Sequence, residues 1–490
     1  MRKVFLLLAL VITALSLFAE IPKTEIRAVW LTTAYGLDWP TRPAKNEAEY
    51  QRQQNELRLL LDSLQEANFN MVLLQVRIRG DVIYRSAFEP ASKYFSGQYG
   101  VMPGYDPLAF AIEECHKRGM ECHAWFVTYP LGTEKTVREQ GKLSVVKKHP
   151  ELCKRHNGEW YLDPGVPGTR TYLRSLVKEL VENYDIDGIH FDYIRYPEQA
   201  HRFSDKAVHR KYGKDKSLAE WRRENITQFV TEVYDDVKSL KPWVQVSSSP
   251  LGKFSRIPKR PNAGWTAFES VYQDVRSWLK NGKQDMIVPM MYYLYDDFFP
   301  FVDNWVENAN NRFVVPGLGA YRMENKEGNW ELNHVTDQID YTRSFGASGT
   351  SYFRLTNVLN DKKGLYSELK NNYYKYPAML PPLTWLNSDV PATPDEVKVE
   401  RIGDELKLTW EQPEGSDVSY YTVYYSQTDT IDTSTAKSIL ATGVRDSVLY
   451  LPVGGTIEQV FSFAVSASSK YRIESLPSKS TFYYYSSFVK

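Results

Sequence analysis

The chain has little cysteine and no excess of charge of either sign. Three of its 490 residues are cysteine (Cys115, Cys122 and Cys153), and an odd number leaves at least one thiol free, which excludes a disulfide framework. Lys and Arg number 60, as do Asp and Glu, so the formal net charge is zero. Because these charges are scattered along the chain, we expect no nucleic-acid partner and no attraction to a membrane surface. The balance favours a neutral or small substrate.

Long apolar runs are also scarce, and the single one lies at the amino terminus. Residues 1–19 combine a basic start, the run VFLLLALVITALSLF and a small residue before Glu20, which predicts a signal peptide. The run is short for a membrane span, and no second run follows it. We therefore expect an exported protein, periplasmic or extracellular, that is soluble after removal of the signal peptide and has no stable membrane insertion.

Several motifs of cofactor and metal chemistry are missing. The sequence has no HExxH, no CxxC pair, no acidic calcium loop and no GxSxG elbow, and no glycine-rich phosphate loop follows the first strand. We therefore predict neither a cofactor nor a resident metal. One metal hypothesis stays open, because His123, His190 and Asp192 could together chelate zinc or iron, as in a metal-dependent deacetylase.

Apolar runs that alternate with amphipathic helical stretches fill most of the chain. Eight such pairs within residues 24–384 predict a (β/α)8 TIM barrel, an α/β fold whose parallel strands are buried on both faces. The predicted strands are residues 26–31, 69–76, 121–127, 188–193, 243–249, 285–293, 312–319 and 348–355. Residues 385–392 are a polar, proline-containing linker. Residues 393–490 show short alternating β runs and resemble a fibronectin type III sandwich.

The stretch DIDGIHFDYIRYP, residues 185–197, contains the strongest candidate for a chemical role. Strand alternation places His190 and Asp192 on one face, with Asp192 at the carboxyl end, where barrels carry their active sites. Asp192 is therefore our candidate nucleophile or base. Arg77 or Arg195 could keep it ionised by charge pairing.

Glycosidic cleavage needs a second carboxyl group that protonates the leaving oxygen. The loops that follow the strands offer Glu89, Asp81 and Asp296 for this role, and the sequence does not decide between them. Aromatic and cationic side chains near the same strand ends suit the faces and hydroxyls of sugars. The candidate substrate-binding residues are Arg77, His123, Trp125, His190, Tyr193, Arg195 and Tyr292.

Motifs across residues 24–370 resemble the glycosyl hydrolase-like 10 family of secreted bacterial proteins. They are EIRAVWLTT, LDWP, FNMVLLQVRIRGDVIYRSAFEP, PGYDPLAFAIEECHKRGMECHAWF, YLDPGVPGTR, YDIDGIHFDYIRYP, PWVQVSSSPLG and IVPMMYY. The resemblance implies a barrel that acts on glycosidic bonds, and some members resemble hydrolases of peptidoglycan strands stripped of their peptides. The matching positions imply a cleft formed by Arg77, Asp81, Glu89, His123, Trp125, His190 and Asp192.

Two positions depart from the family's pattern. Tyr193 stands where many members have a second acid, and strand six reads Met290, Met291, Tyr292, Tyr293 where they have Gln-Leu-Tyr-Trp. We predict an exported glycoside hydrolase that cleaves O-glycosidic bonds of a bacterial polysaccharide, with denuded peptidoglycan as the first guess. The alternative is a carbohydrate-binding barrel without catalysis, because Tyr193 removes one potential carboxylate.

Overall fold

The computed structural model describes residues 21–452 and 459–485. The predicted signal peptide, residues 1–19, lies outside this part of the chain. The described residues form a barrel of parallel strands surrounded by helices, followed by a two-sheet antiparallel sandwich. None of the helices in the described ranges is long and apolar enough to cross a membrane.

Eight parallel strand positions form the barrel, as the sequence predicts, and adjacent strands pair in chain order. They are β1 (Ile26–Leu31), β2 (Met71–Arg77), β3 (Glu121–Val127), β4 (Gly188–Asp192), β5 (Gln245–Ser248), β6 (Met286–Ile287), β7 (Phe313–Val314 with Gly317–Leu318) and β8 (Gly349–Tyr352). The strands are rich in Val, Ile, Leu and aromatic residues, which suit a sheet that is covered on both faces.

Strand β7 closes the barrel through two short segments. Phe313–Val314 pairs with β6, and Gly317–Leu318 pairs with β8. Between them, the Val315 N–H donates to the Ile287 carbonyl at 2.9 Å, and the Pro316 carbonyl accepts from Ser351 at 3.1 Å. Proline has no N–H, so the strand is interrupted where its hydrogen bonding changes from one neighbour to the other.

Helices pack around the barrel and alternate with its strands. They are α1 (Glu47–Glu66), α2 (Pro107–Lys117), α3 (Pro167–Asn183), α4 (Leu218–Leu240), α5 (Val275–Lys280), α6 (Phe299–Glu307), α7 (Leu332–Ser344) and α8 (Leu365–Glu368). The apolar spacing of residues 267–280 predicts one continuous helix, but the structure has two short helices there, Ala267–Ser270 and Val275–Lys280. Tyr272 there has a φ of 64°, and the side chain of Gln273 turns inward to accept from the Leu251 N–H at 3.2 Å, so this segment leaves the helix.

Strand alternation sorts side chains into two cores. On β1, Val29 and Leu31 face the helices, whereas Ala28 and Trp30 face the barrel interior. The three cysteines are free and buried. Each packs with the helix-side core, and Cys122 lies there because it alternates with the inward-facing His123 on β3.

The carboxyl-terminal sandwich consists of two antiparallel sheets, as expected for a small all-β domain. One sheet contains Asp395–Ile402, Glu405–Glu411 and Val448–Pro452, and the other contains Ile439–Val444, Tyr420–Ser426, Gln459–Ser468 and Thr481–Tyr485. Inward-facing residues of both sheets, among them Leu408, Trp410, Val423 and Val465, form its core.

The sandwich docks against the amino-terminal ends of the barrel strands, which we call the floor. Arg472 of the sandwich pairs with Glu121, the first residue of β3. Trp385, in the predicted linker, packs against Phe313 with ring centroids 4.8 Å apart and donates to Asp285 at 2.9 Å. The opposite end of the barrel, which we call the mouth, is therefore left free by the sandwich.

Candidate active site

Asp192 ends β4 at the mouth and is 6% exposed. Its Oδ1 accepts from the Tyr193 N–H at 2.7 Å and from the Ser249 hydroxyl at 3.0 Å. Its Oδ2 accepts from the Trp125 indole N–H at 3.1 Å. Three neutral donors from three different segments therefore fix the orientation of this carboxylate, and it forms no ion pair within the described chain.

Opposing effects act on the charge of Asp192. Burial raises its pKa above that of an ordinary aspartate, and the charge of Arg195 together with the three hydrogen bonds opposes the rise. Tyr292 lies near Asp192. Burial, followed by the charge of Asp192, raises the pKa of the Tyr292 phenol. A phenol with a raised pKa stays protonated, so Tyr292 can act as a hydrogen-bond donor at the mouth.

A sharp turn after Asp192 positions Tyr193. Its φ is 50°, in the left-handed region that few non-glycine residues adopt. The turn brings the ring next to two guanidinium groups, with those of Arg79 and Arg195 at 5.4 and 4.7 Å from its centroid. The guanidinium of Arg195 also lies 5.4 Å from the ring centroid of Trp265, which is 40% exposed. One side of the mouth is thus both aromatic and cationic.

His190 lies inside the barrel, two residues before Asp192, and is fully buried. Its Nε2 accepts from the Trp30 indole N–H at 3.2 Å, and its Nδ1 lies 2.9 Å from the Ser247 hydroxyl. Burial, followed by the charge of His123, lowers the pKa of His190 to about 3. The imidazole is therefore neutral with its proton on Nδ1, and it supports the mouth from below without exchanging protons near neutral pH.

The predicted placement of Arg77 and Glu89 in the cleft is wrong. They form a fully buried ion pair, with Nε and Nη2 of Arg77 2.7 and 2.6 Å from the two oxygens of Glu89. Tyr172 of helix α3 donates to the same carboxylate at 3.1 Å, and Phe126 packs under the guanidinium. The pair therefore lies between the sheet and the helices. A bulge in β2 between Gln75 and Arg77 shifts Arg77 out of the inward parity that the sequence predicts.

The structure also places His123 away from the cleft. His123 points inward from the floor end of β3, where its Nε2 lies 2.8 Å from Glu121, and its ring packs over Gly188. His123 therefore does not converge with Asp192, and the hypothetical three-residue metal site is not assembled. Across residues 21–452 and 459–485, no group of three His, Cys, Asp or Glu side chains is arranged to hold a metal ion.

The remaining candidates for the acid occupy contrasting environments. Asp81 is 1% exposed in the loop after β2, its Oδ1 accepts from the Arg79 N–H at 3.0 Å, and burial raises its pKa to about 6. The Asp296 side chain is 89% exposed on the loop after β6, 4.0 Å from Arg260. Asp81 can carry a proton in mildly acidic solution, whereas the carboxylate of Asp296 is exposed to solvent.

The structure brings together Trp125, His190, Asp192, Tyr193, Arg195 and Tyr292 in or beneath the mouth. It adds Ser249, Arg79, Trp30 and Trp265, which were not among the predicted site residues. Ser249 and Trp30 have the inward strand parity that could have identified them. Trp265 lies in a long loop whose path no local pattern specifies.

The sequence of this chain is similar to those of known proteins. The profile of the glycosyl hydrolase-like 10 family matches residues 25–311. The glycosyl hydrolase YngK of Bacillus subtilis is 30% identical over 486 residues, which cover 93% of each chain. The glycosyl hydrolase DigH of Escherichia coli K12 is 32% identical over 363 residues, which cover 67% of this chain and 82% of DigH.

Among solved structures, the glycoside hydrolase domain of PgaB (BpsB) from Bordetella bronchiseptica shares the fold. It aligns with a TM-score of 0.50 and 14% identity over 71% of this chain and 99% of that domain. This likeness shows a shared fold alone. The family profile and the similarity to YngK over 93% of each chain show common ancestry. The chain therefore belongs to the glycosyl hydrolase-like 10 family and is a glycoside hydrolase.

Proposed function

We propose that this glycoside hydrolase cleaves O-glycosidic bonds of a bacterial polysaccharide, with denuded peptidoglycan glycan strands as its substrate, and that Asp192 is its nucleophile or base. The observation that carries the proposal is the fixed carboxylate of Asp192 at the mouth, held by Trp125, Ser249 and the backbone of Tyr193. The neighbouring rings of Tyr193 and Trp265 offer flat apolar faces for sugar rings.

The contacts of Asp192 suit the second carboxylate of a glycosidase. Such a group either attacks the anomeric carbon or removes a proton from the attacking water, so it must be ionised and correctly oriented. The three hydrogen bonds favour the ionised form, and they hold the oxygens in place before the substrate binds. The partner acid must protonate the leaving oxygen. Asp81, whose pKa burial raises to about 6, and Asp296, whose side chain is exposed, are the two candidates for this role.

The proposed location follows from the amino-terminal sequence. Residues 1–19 have the basic, apolar and small-residue order of a signal peptide, so we propose export to the periplasm or the medium. Peptidoglycan lies in the same compartment, which makes the proposed substrate accessible to the enzyme.

The test measures reducing ends released from purified denuded glycan strands by the full-length mature protein. We expect release by the wild type and a loss of at least about a hundredfold for Asp192→Asn, because the amide cannot act as nucleophile or base. Asp303→Asn is the matched control, since Asp303 is a buried aspartate on helix α6 that accepts from the Tyr341 hydroxyl at 2.6 Å. Undiminished release by Asp192→Asn would exclude the assigned chemistry, and binding of strands without any release by the wild type would support a carbohydrate-binding barrel.

A further inference from the structure

Two of the three cysteines meet where helix α2 turns into strand β3. Cys115 lies in the last turn of α2, and Cys122 is the second residue of β3. Their exposed fractions are 1% and 0%, and both pack in the helix-side core. A hydrogen bond between the two thiols, followed by burial, raises the pKa of the Cys122 thiol well above its usual range. The two sulfur atoms are therefore direct neighbours.

The backbone of the turn explains why these thiols meet. The Met120 N–H donates to the Cys115 carbonyl at 3.0 Å, and the Gly119 N–H donates to the carbonyl of the next residue, His116, at 3.1 Å. These are the two bonds of a Schellman motif, and Gly119 has the left-handed φ of 70° that the motif requires. The motif returns the chain along the helix and brings Met120 back toward Cys115. Cys122 follows Met120 by two residues, so its side chain points to the same face of the helix.

We propose that Cys115 and Cys122 are joined by a disulfide bond in the exported protein. The inference rests on the part of the proposed function that concerns export, and it does not depend on the assigned glycosidic chemistry. Disulfides form and persist in oxidising compartments outside the cytoplasm. Six residues separate the two cysteines in the sequence, so the bond closes a short loop across the end of α2 and the start of β3.

The bond forms by thiol–disulfide exchange with a disulfide-bearing oxidoreductase of that compartment. The thiolate of one cysteine attacks the disulfide of the oxidoreductase, which forms a mixed disulfide and releases one of its two thiols. The thiolate of the other cysteine then attacks the sulfur that the chain contributes to the mixed disulfide, and the second thiol leaves. The chain loses two electrons and two protons, which the oxidoreductase gains as its reduced dithiol. Because both thiols are buried in the folded barrel, the exchange takes place before folding is complete.

The third cysteine provides an internal control. The thiol of Cys153 donates to the His149 carbonyl at 3.3 Å, in a different segment of the chain. Burial raises the pKa of this thiol to about 12. We therefore expect Cys153 to remain a thiol when the other two cysteines are oxidised.

The loop that the bond closes also carries contacts between the barrel and the sandwich. A Cβ at Gly119 would lie 2.4 Å from the Thr442 carbonyl oxygen, so the backbones of the turn and the sandwich are in close contact. Glu121 lies in the same loop and pairs with Arg472. The cross-link would limit the conformations of this turn before the sandwich docks on it.

The test refolds the denatured and reduced full-length mature chain in a glutathione redox buffer, alkylates the remaining thiols and maps tryptic peptides without reduction. Trypsin cuts after Lys117 and Arg118, between the two cysteines, so the disulfide would hold the peptides 94–117 and 119–135 together. We expect this linked pair in most of the refolded protein, with Cys153 alkylated.

Thermal unfolding gives a second readout. The Tm of the chain refolded in glutathione should exceed that of the chain refolded with reductant by about 3 °C. Cys115→Ala and Cys122→Ala should each abolish this dependence on reductant, whatever their own stability. Cys153→Ala is the matched control and should retain it.

Alkylation of both Cys115 and Cys122 in the refolded chain would overturn the proposal, as would linkage of either one to Cys153 in equal yield. The same peptide map of the chain from fractionated bacteria tests the inference separately from the proposed location. An exported chain with both thiols free overturns the inference. A chain that stays in the cytoplasm but forms the linked pair on refolding supports the cysteine pair and rejects the proposed export.

Discussion

Buried charges at individual residues of the barrel are compensated to very different degrees. Arg77 and Glu89 neutralise each other, and Tyr172 adds a further hydrogen bond to the pair. Asp81 is as deeply buried but receives a backbone N–H rather than a cation, and Asp192 receives three neutral hydrogen bonds. Residues whose charge remains uncompensated reduce the stability of the fold, and they are the ones that can gain most from a ligand or take part in proton transfer.

Asp81 gives a prediction that separates stability from activity. Its pKa is raised from 3.8 to about 6, so the folded state favours the protonated form, and the resulting loss of stability grows between these two pH values and is complete above about 6. Asn cannot ionise, so we expect Asp81→Asn to stabilise the protein by about 3 kcal/mol at pH 7 and to have almost no effect near pH 3. Urea unfolding at both pH values measures this difference.

The same variant tests Asp81 as a candidate for the acid, since it should lose most of its release of reducing ends while it gains stability. If the variant's free energy of unfolding is unchanged at both pH values, burial does not raise the pKa of Asp81. A stabilised variant that retains full activity would transfer the role of acid to another residue, with Asp296 as the next candidate.

At the scale of elements, strand β4 links the floor to the mouth within five residues. Gly188 begins it over the ring of His123, His190 occupies the interior, and Asp192 ends it. A Cβ at position 188 would lie 2.3 Å from Nδ1 of His123, which is itself fully buried. Glycine is therefore required here by the close approach of a neighbouring strand's side chain.

Gly188→Ala should therefore destabilise the barrel by about 1–3 kcal/mol, because the imidazole of His123 must move within a packed interior. The double variant Gly188→Ala/His123→Ala makes room for the new methyl group. We expect its cost to be smaller than the sum of the two single costs by at least about 1 kcal/mol. Denaturant unfolding of the four proteins gives this coupling, and simple additivity would show that the predicted clash does not occur.

The alternation of apolar runs with amphipathic helical stretches was sufficient to predict the number of strands. Side-chain alternation along each strand predicted the inward direction of Trp125, His190 and Asp192. It failed at Arg77, because the bulge in β2 reverses the side of the sheet on which this residue lies. Side-chain alternation also does not show whether an inward-facing residue lies at the floor or at the mouth of the barrel. The side chain of His123 points inward, but it lies near the start of β3 at the floor, where it contacts Glu121 rather than the residues of the mouth. Loop residues such as Trp265 and Asp296 depend on long-range packing that has no local periodicity.

At the scale of the whole molecule, the sandwich completes the floor of the barrel. The guanidinium of Arg472 bonds both oxygens of Glu121, with Nε 2.7 Å from Oε1, and the side chain of Arg472 is 2% exposed. Burial raises the pKa of Glu121, but the charge of Arg472 and the contact with His123 outweigh it and lower the pKa to about 2. The pair therefore stabilises the docked arrangement above the ordinary pKa of glutamate, and this stabilisation is lost as the pH falls toward 2.

Two ion pairs between the sandwich and the rest of the chain allow a matched comparison. Arg472→Met leaves Glu121, whose side chain is 16% exposed, without its cation and should cost about 3 kcal/mol at pH 7. Lys23→Met removes the pair with Glu474, whose side chains are 23% and 24% exposed, and should cost less than about 1 kcal/mol. Thermal unfolding at pH 7 and pH 3 measures both, and the cost of Arg472→Met should shrink at the lower pH. Equal effects of the two variants would show that Arg472 is not essential to the floor.

The contact between Glu121 and Arg472 also constrains the order in which the molecule can be completed. Arg472 follows Glu121 by 351 residues, so β3 is synthesised long before the residue that closes the space beneath it. Until Arg472 has been synthesised, the glutamate at the start of β3 must remain hydrated, and the interior around His123 stays open to water at that end. The floor is therefore the last part of the barrel to form, and a chain that ends before residue 472 cannot complete it.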